Sequence, residues 1–149
     1  MMARIYLAGP FFSDQQIDRI HRVEAALKAN PSVDSFFSPM ETNTTDDNGQ
    51  QFTPEWAKRV FKLDTEEIDK ADVVCAVTDF VHQNMDSGTA FEVGYAFSSH
   101  TPVVCLQELD EPLNLMIGQA LCFYTKDVEE LATYDFDKLP KRPYTGKTF

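Results

Sequence analysis

The chain alternates short apolar runs with longer stretches in which apolar residues recur every three or four positions. The runs at Ala71 to Thr78 and Thr101 to Gln107 are apolar at consecutive positions, which is typical of strands covered by helices on both faces of a parallel sheet. Five strands are predicted, and they are Ala3 to Gly9, Val33 to Ser38, Ala71 to Thr78, Thr101 to Gln107 and Leu121 to Tyr124.

Signals for helix starts and stops lie between these strands. The Ser13 to Gln16 segment has the spacing of a capping box, and the Asn30 to Pro31 pair is expected to end the helix that follows. The Thr53 to Pro54 pair indicates an N-cap followed by proline at the first helical position. Apolar residues expected to face inward are Ile17, Ile20, Val23 and Leu27 in the first helix and Trp56, Val60, Leu63 and Ile68 in the second. Further helices are predicted at Asp86 to His100, Leu113 to Ala120 and Asp127 to Thr133, before an extended tail.

This alternation predicts an α/β fold, a three-layer sandwich with a parallel, doubly wound sheet of about five strands, in a single domain over residues 1–149. Ligands of such folds bind at the carboxyl ends of the strands. That rim would carry Tyr6, the Gly9 to Phe12 turn, the Asp79 to Glu92 segment and the Gln107 to Met116 segment. The polar stretch at 39–52 is expected to form either a flap over the site or a surface loop.

Composition narrows the possible partners. The chain has 13 Lys+Arg against 24 Asp+Glu, a net charge of −11, which argues against nucleic acids and anionic membrane surfaces. Its three cysteines each lie in or beside an apolar run, as expected of reduced thiols in a cytoplasmic protein. The scattered histidines and the absence of C-x-x-C spacing predict no metal site, and no apolar run is long enough to cross a membrane.

The segment from Asp86 to His100 places one carboxylate, Glu92, inside an apolar helix that we expect to be buried on almost every face. Gly94 in the middle of this helix indicates close approach of backbone or ligand. Glu92 is expected in the first turn, where the helix dipole favours its ionised form. Two interpretations stay open: Thr89 and Glu92 have the spacing of a capping box, and Glu92 with Asp86 could equally form a ligand site.

A buried glutamate without a metal, a histidine partner or a redox cofactor is suited to attack on, or stabilisation of, an oxocarbenium-like sugar carbon. The predicted rim is acidic and aromatic and carries hardly any lysine or arginine. It therefore favours a neutral, hydroxylated and flat ligand that stacks on Tyr6, Phe11 and Phe12.

Four sequence blocks in this order resemble the signatures of the nucleoside 2-deoxyribosyltransferase family. They are Tyr6 to Pro10, Asp69 to Val74, Asp86 to Ala96 and Pro112 to Met116, and the resemblance spans residues 4 to about 120. It implies a flavodoxin-like fold, no cofactor, and a ping-pong exchange of nucleobases on 2′-deoxyribonucleosides with retained configuration.

The resemblance also implies roles for single residues. Glu92 would be the nucleophile, Tyr6 would orient it, Asp72 would contact the base, and Asp86 would hold the 5′-hydroxyl together with Asn114 of a neighbouring subunit. The remaining residues expected near the substrate are Gly9, Phe11, Phe12, Gly88 and Met116. A homo-oligomer is expected, built from dimers and up to a hexamer, in which the C-terminal Phe149 could also reach a neighbour's site.

Two other functions stay open at this point. A hydrolase of 2′-deoxynucleoside 5′-monophosphates shares the fold and the glutamate, but such relatives carry serine where this chain has Asp86, whose charge would repel phosphate. A non-catalytic nucleotide-binding sensor would use Glu92 as a cap. The preferred base and the role of the 39–52 stretch are not predicted.

Overall fold

The computed structural model describes residues 2–43, 50–82 and 84–149. Five parallel strands form one sheet in the order β2-β1-β3-β4-β5. The strands are β1 (Ala3–Ala8), β2 (Val33–Phe37), β3 (Val73–Val77), β4 (Val103–Leu106) and β5 (Phe123–Thr125). The chain leaves β1 toward one edge and then returns past it to build the other edge, so the strand order reverses between β1 and β3. The predicted parallel, doubly wound sheet is confirmed.

Helices cover both faces of this sheet. They are α1 (Asp14–Ala29), α2 (Pro39–Asn43), α3 (Pro54–Lys70), α4 (Ser87–Ser98), α5 (Leu115–Gln119) and a 3₁₀ helix (Val128–Ala132). The predicted N-caps of α1 and α3 are confirmed, since Ser13 Oγ accepts from the Gln16 amide at 3.3 Å and Thr53 Oγ1 from the Trp56 amide at 3.2 Å. The predicted 39–52 loop begins with α2, and residues 44–49 of it lie outside the described part.

Alternate residues of β1 face two separate cores. Ile5 and Leu7 pack with α1 and the 3₁₀ helix, while Tyr6 and Ala8 pack on the other face with residues of α3 and α4. Both layers bury their side chains against strands that are buried throughout, which explains the consecutive apolar residues of β3 and β4. Tyr6 is thereby directed toward the α3 and α4 side.

The predicted burial of α4 is wrong. Phe91 and Phe97 are 49% and 60% exposed, and a Cβ added to Gly94 would meet no atom within 4 Å. Among the described residues, no other element therefore packs closely against Gly94. On α3, Ile68 is fully buried as predicted, but Trp56, Val60 and Leu63 are half-buried. The layer of α3, α4 and α5 thus carries an apolar outer face.

The cysteines are free thiols, and two of the three are buried as the sequence predicts. Cys75 and Cys105 are buried free thiols, Cys122 is half-buried, and burial raises the pKa of Cys75 to about 12. Within the described ranges, no helix combines the length and apolar character that a membrane span requires.

The carboxyl end of the sheet is fixed by a buried ion cluster around Asp79, which follows β3. Its two carboxylate oxygens accept from the amides of Glu108 and Leu109, both at 2.8 Å, and Arg19 Nε lies 3.6 Å away. Glu108 in turn pairs with Arg19 at 2.9 Å and with Arg22 at 2.6 Å. The loops after β3 and β4 are thereby joined to α1.

Replacing Asp79 by alanine should lower the free energy of unfolding by about 3 kcal/mol, because two amides lose their acceptor and the buried Arg19 guanidinium keeps only Glu108 as a carboxylate partner. Urea denaturation with an unchanged m-value would measure this loss. Asp18→Ala is the matched control, since Asp18 pairs with Arg22 in the same cluster but its side chain is 70% exposed. Equal losses in the two variants would contradict the assignment.

Candidate active site

A pocket of about 260 Å³ lies at the carboxyl ends of the central strands, between α3 and the start of α4. Most of its surface is apolar, and five of the lining side chains are aromatic, namely Phe11, Phe12, Trp56, Phe61 and Phe91. Three carboxylates also line it, from Asp64, Asp86 and Glu92, and no described residue of the lining is lysine or arginine. The pocket thus combines flat apolar surface with concentrated negative charge.

Glu92 is held at the floor of this pocket by Tyr6. The Tyr6 hydroxyl, on a side chain fully buried in β1, donates to Glu92 Oε2. The Tyr6 ring is itself fixed by stacking on Phe37, with centroids 5.7 Å apart. Because both rings belong to the sheet, the position of the Glu92 carboxylate is set by rigid structure.

The environment of Glu92 favours its neutral form. Burial raises its pKa to about 8; the hydrogen bond from Tyr6 lowers the pKa, and the charges of Asp64 and Asp86 raise it. Burial and the same carboxylates raise the pKa of Tyr6, so its hydroxyl stays protonated and continues to donate. Near neutral pH, Glu92 is therefore mostly protonated.

The capping-box interpretation of Glu92 is wrong. Asp86 is the N-cap of α4, and its Oδ2 accepts from the Thr89 amide at 2.9 Å and the Thr89 hydroxyl at 2.8 Å. Glu92 lies in the second turn rather than the first, so no orphan amide of the helix start needs it. Its carboxylate instead accepts the hydrogen bond from Tyr6 and lines the pocket.

The two glycines predicted for the site line the pocket and fit tight spaces. A Cβ added to Gly9 would lie 2.8 Å from Ile20 Cδ1 and 3.1 Å from Val77 Cβ, so a larger residue in the turn after β1 would require both side chains to shift. A Cβ added to Gly88 would lie 3.3 Å from Asp86 Oδ2. Phe11 and Phe12 follow Gly9 into the lining, and Phe12 is 67% exposed.

The structure does not bring Asp72 to this pocket, and the prediction that it contacts a base is wrong. Asp72 precedes β3, and its Oδ2 accepts from the Arg4 amide at 2.9 Å near the start of β1. The two strands are parallel, so Asp72 lies at their amino ends, whereas the pocket lies at their carboxyl ends. Asp72 is not among the residues that line the pocket.

Asn114, Met116 and Phe149 also lie outside the pocket lining. Asn114 caps α5 by accepting from the Met116 amide at 2.9 Å, and Met116 is 72% exposed. The Phe149 carbonyl accepts from the Leu115 amide at 3.0 Å, which holds the chain end beside α5. Within one chain these residues form a separate surface.

Residues of α3 were missed by sequence reasoning. Phe61, Asp64, Thr65 and Ile68 follow the i, i+3, i+4, i+7 pattern of one helix face, and all four line the pocket. An acid on the same helix face as Phe61 and Ile68 is the signal that could have identified Asp64. Within the described ranges, no cluster of His, Cys, Asp and Glu side chains is arranged to hold a metal ion.

The raised pKa of Glu92 predicts a pH-dependent cost to stability. As pH rises above about 4.5 the unfolded chain ionises this group while the folded state keeps it neutral, so wild-type stability should fall until the pH passes about 8. Glu92→Gln removes this loss, and its melting temperature should exceed that of the wild type at pH 8 and approach it near pH 4.5. Calorimetry across this range would measure the difference.

The control for this experiment is Glu66→Gln, because Glu66 is an exposed glutamate of α3. Its melting temperature should follow the wild-type profile. Parallel profiles for Glu92→Gln and the wild type would contradict the assigned environment of Glu92.

Comparisons with known proteins show which family this chain resembles. A family model described as nucleoside 2-deoxyribosyltransferase matches residues 5–136. A nucleoside deoxyribosyltransferase from Limosilactobacillus fermentum is 26% identical over 154 residues, which cover 95% of this chain and 90% of the relative.

Solved structures support the same relationship. A 2-deoxyribosyltransferase from Bacillus psychrosaccharolyticus is 34% identical, with 96% of this chain and 100% of that chain covered and a TM-score of 0.82. A CMP N-glycosidase from Clostridium botulinum, at 16% identity and a TM-score of 0.56 with 91% and 96% coverage, shares the fold alone. The chain belongs to the nucleoside 2-deoxyribosyltransferase family.

Proposed function

We propose that the protein transfers the 2-deoxyribosyl group between nucleobases through a covalent deoxyribosyl-Glu92 intermediate. The observation that carries this proposal is the Glu92 carboxylate, which the Tyr6 hydroxyl holds in a pocket whose described lining has five aromatic side chains and no lysine or arginine. The geometry gives one carboxylate a fixed position and leaves space beside it for a sugar ring. These are the requirements for nucleophilic attack at an anomeric carbon.

In the first half-reaction, a Glu92 oxygen bonds to C1′ as the bond from C1′ to the base nitrogen breaks, and the electron pair leaves with the base, which takes up a proton. In the second, a nitrogen of the incoming base attacks C1′, loses its proton, and releases the carboxylate. Two inversions retain the β configuration. Positive charge develops on the sugar in both steps, and the carboxylates of Asp64 and Asp86 stabilise it electrostatically.

Asp64 replaces Asp72 in this proposal as the acid that faces the base. It lines the pocket from α3, opposite Glu92 on α4, and its charge already acts on both Glu92 and Tyr6. The proton that Glu92 holds near neutral pH can pass to the departing base, which leaves the Glu92 carboxylate ionised for its attack on C1′. The base itself would lie against the aromatic wall.

The charge of the pocket favours nucleosides over nucleotides. Asp86 keeps one oxygen for Thr89 and can offer the other to a sugar hydroxyl, whereas a 5′-phosphate would meet three carboxylates and no described lysine or arginine of the lining. This contrast disfavours the monophosphate hydrolase, although a hydrolase shares the fold.

We further infer a cytoplasmic homo-oligomer that completes the site. The layer of α3, α4 and α5 exposes five large apolar side chains. They are Phe61, Phe91, Phe97, Leu115 and Met116, each 49% exposed or more. Exposed apolar patches of this kind mark protein–protein interfaces. Asn114 and the C-terminal Phe149 lie beside Leu115 and Met116, where a second copy could receive them.

Incubation with deoxyinosine and adenine should yield deoxyadenosine and hypoxanthine, and Glu92→Gln should reduce the rate by at least about 10³-fold because the nucleophile is lost. Chromatography measures the products, and mass spectrometry should find a deoxyribosyl adduct on Glu92 when the acceptor is withheld. Glu66→Gln, exposed on α3, should keep the wild-type rate.

Three results would contradict this proposal. Faster release of base from deoxyinosine monophosphate than from deoxyinosine would favour the hydrolase. Exchange by Glu92→Gln at the wild-type rate would overturn the covalent mechanism by showing that Glu92 is not the nucleophile. If the folded wild type shows no turnover, the sensor module is favoured.

Subunit complementation tests the role of Asn114. Asn114→Ala and Glu92→Gln should each be defective alone, but a co-expressed mixture should recover about one quarter of wild-type activity. Half of randomly paired dimers are mixed, and each mixed dimer holds one site with Glu92 and a neighbour's Asn114 intact. A mixture no more active than its parents would show that Asn114 does not act across subunits.

A further inference from the structure

The last residues of the chain run beside the segment that carries Asn114. The Leu113 amide donates to the Lys147 carbonyl and the Leu115 amide donates to the Phe149 carbonyl, both at 3.0 Å. These two hydrogen bonds flank Asn114 and belong to a short parallel bridge between the tail and the loop after β4. The backbone of Asn114 is therefore held on both sides by the tail.

The tail needs an anchor of its own, because most of it is exposed. Within residues 141–149, Tyr144 is the one residue that is half-buried rather than exposed. Its ring packs edge-on against Tyr124 of β5, with centroids 4.8 Å apart, and a Cβ added to Gly118 of α5 would lie 3.2 Å from Tyr144 Cδ1. Tyr144 thus joins β5 to α5, the helix that Asn114 caps.

The ring of Tyr124, against which Tyr144 packs, is itself fixed. The Tyr124 hydroxyl donates to Gln107 Oε1 at 2.6 Å, and Gln107 Nε2 donates to the Glu111 carbonyl at 3.1 Å. Gln107 is 4% exposed and comes directly after β4. The loop from Gln107 to Leu113 is therefore held at its start by one tyrosine and, through the tail, at its end by another.

The Tyr144 hydroxyl closes the turn that brings the tail to Leu113. It donates to the Lys147 carbonyl, which is the same carbonyl that accepts from the Leu113 amide. A Cβ added to Gly146 would lie 2.5 Å from Tyr144 Oη, so a larger residue at this position would displace the hydroxyl. One carbonyl, oriented by a phenol, therefore aligns the bridge beside Asn114.

We propose that Tyr144 is a positioning residue, which acts through the Lys147 carbonyl to hold Asn114 where it can complete a neighbouring subunit's site. Asn114 uses its side-chain oxygen to cap α5, so its Nδ2 group is the donor that it can offer to a sugar hydroxyl. Such a donor must be held in place, because a displacement of about 1 Å can cost a large part of its effect on the reaction. The effect on catalysis rests on the proposed function, but the alignment of the tail does not.

Hydrogen exchange of the Leu113 and Leu115 amides, followed by NMR without substrate, tests the alignment. Tyr144→Phe keeps the ring and removes the hydroxyl, so both amides should exchange with solvent about fivefold faster than in the wild type. Gly146→Ala should give the same result, because its added methyl group displaces the Tyr144 hydroxyl.

Tyr134→Phe is the matched control. The Tyr134 hydroxyl donates to the Pro140 carbonyl at 3.0 Å, so this variant loses a hydrogen bond of the same kind before the chain reaches the turn at Tyr144. Its Leu113 and Leu115 amides should exchange with solvent at the wild-type rate. Unchanged rates in Tyr144→Phe, or an equal rise in Tyr134→Phe, would overturn the proposal.

Kinetics connects the alignment to Asn114 and separates this inference from the proposed function. If the protein exchanges bases, kcat/KM for deoxyinosine should fall about fivefold in Tyr144→Phe, but should not fall further when this change is added to Asn114→Ala. Equal losses in the two backgrounds would show that Tyr144 does not act through Asn114, which would overturn the inference while leaving base exchange established. Faster hydrogen exchange in Tyr144→Phe, in a protein that does not exchange bases, would support the alignment and remove only the proposed function.

Discussion

The hydrogen bond from Tyr6 to Glu92 is the interaction on which the site depends. It joins a strand at the centre of the sheet to the helix that closes one side of the pocket, and so it fixes a carboxylate where the strand order reverses. Tyr6 can do this because alternate residues of β1 face opposite layers, and its ring is packed against Phe37. The position of the Glu92 carboxylate is therefore set by residues of the sheet and not by a loop.

The cost of this arrangement is electrostatic. Glu92, Asp64 and Asp86 line one apolar pocket, and no described lysine or arginine of that lining balances them. Burial and mutual repulsion keep Glu92 neutral at a pH where an exposed glutamate is ionised. In the proposed reaction, the same negative potential would stabilise positive charge developing on a sugar, so stability would be lost where transition-state stabilisation is gained.

The sequence predicted the fold well because the fold depends on local patterns. Consecutive apolar residues in β3 and β4 reflect burial on both faces, and Ser13 and Thr53 form their caps within three residues. The site was predicted less evenly, since it depends on which end of a strand a residue occupies. Asp72 and Asp64 are eight positions apart, and only the parallel direction of β3 shows that the first lies at the wrong end. Thr89 and Glu92 matched a capping box because sequence spacing does not reveal that Asp86 begins the helix three residues earlier.

The predicted burial of α4 was wrong for a different reason, and the error points to assembly. A helix that is apolar on almost every face is expected to be covered all round, yet the sheet covers one side only, at Thr89, Val93 and Ala96. Phe61 and Phe91 contact each other across α3 and α4, with centroids 5.8 Å apart, and both reach from the pocket lining to the exposed surface. Covering these rings with a second copy would bury apolar area and enclose the substrate in the same step. The apolar outer face of α4 is thus continuous with the candidate pocket. Gly94 leaves room for close contact on this face, because an added Cβ would meet no atom of the described part of the chain within 4 Å beyond its own helix.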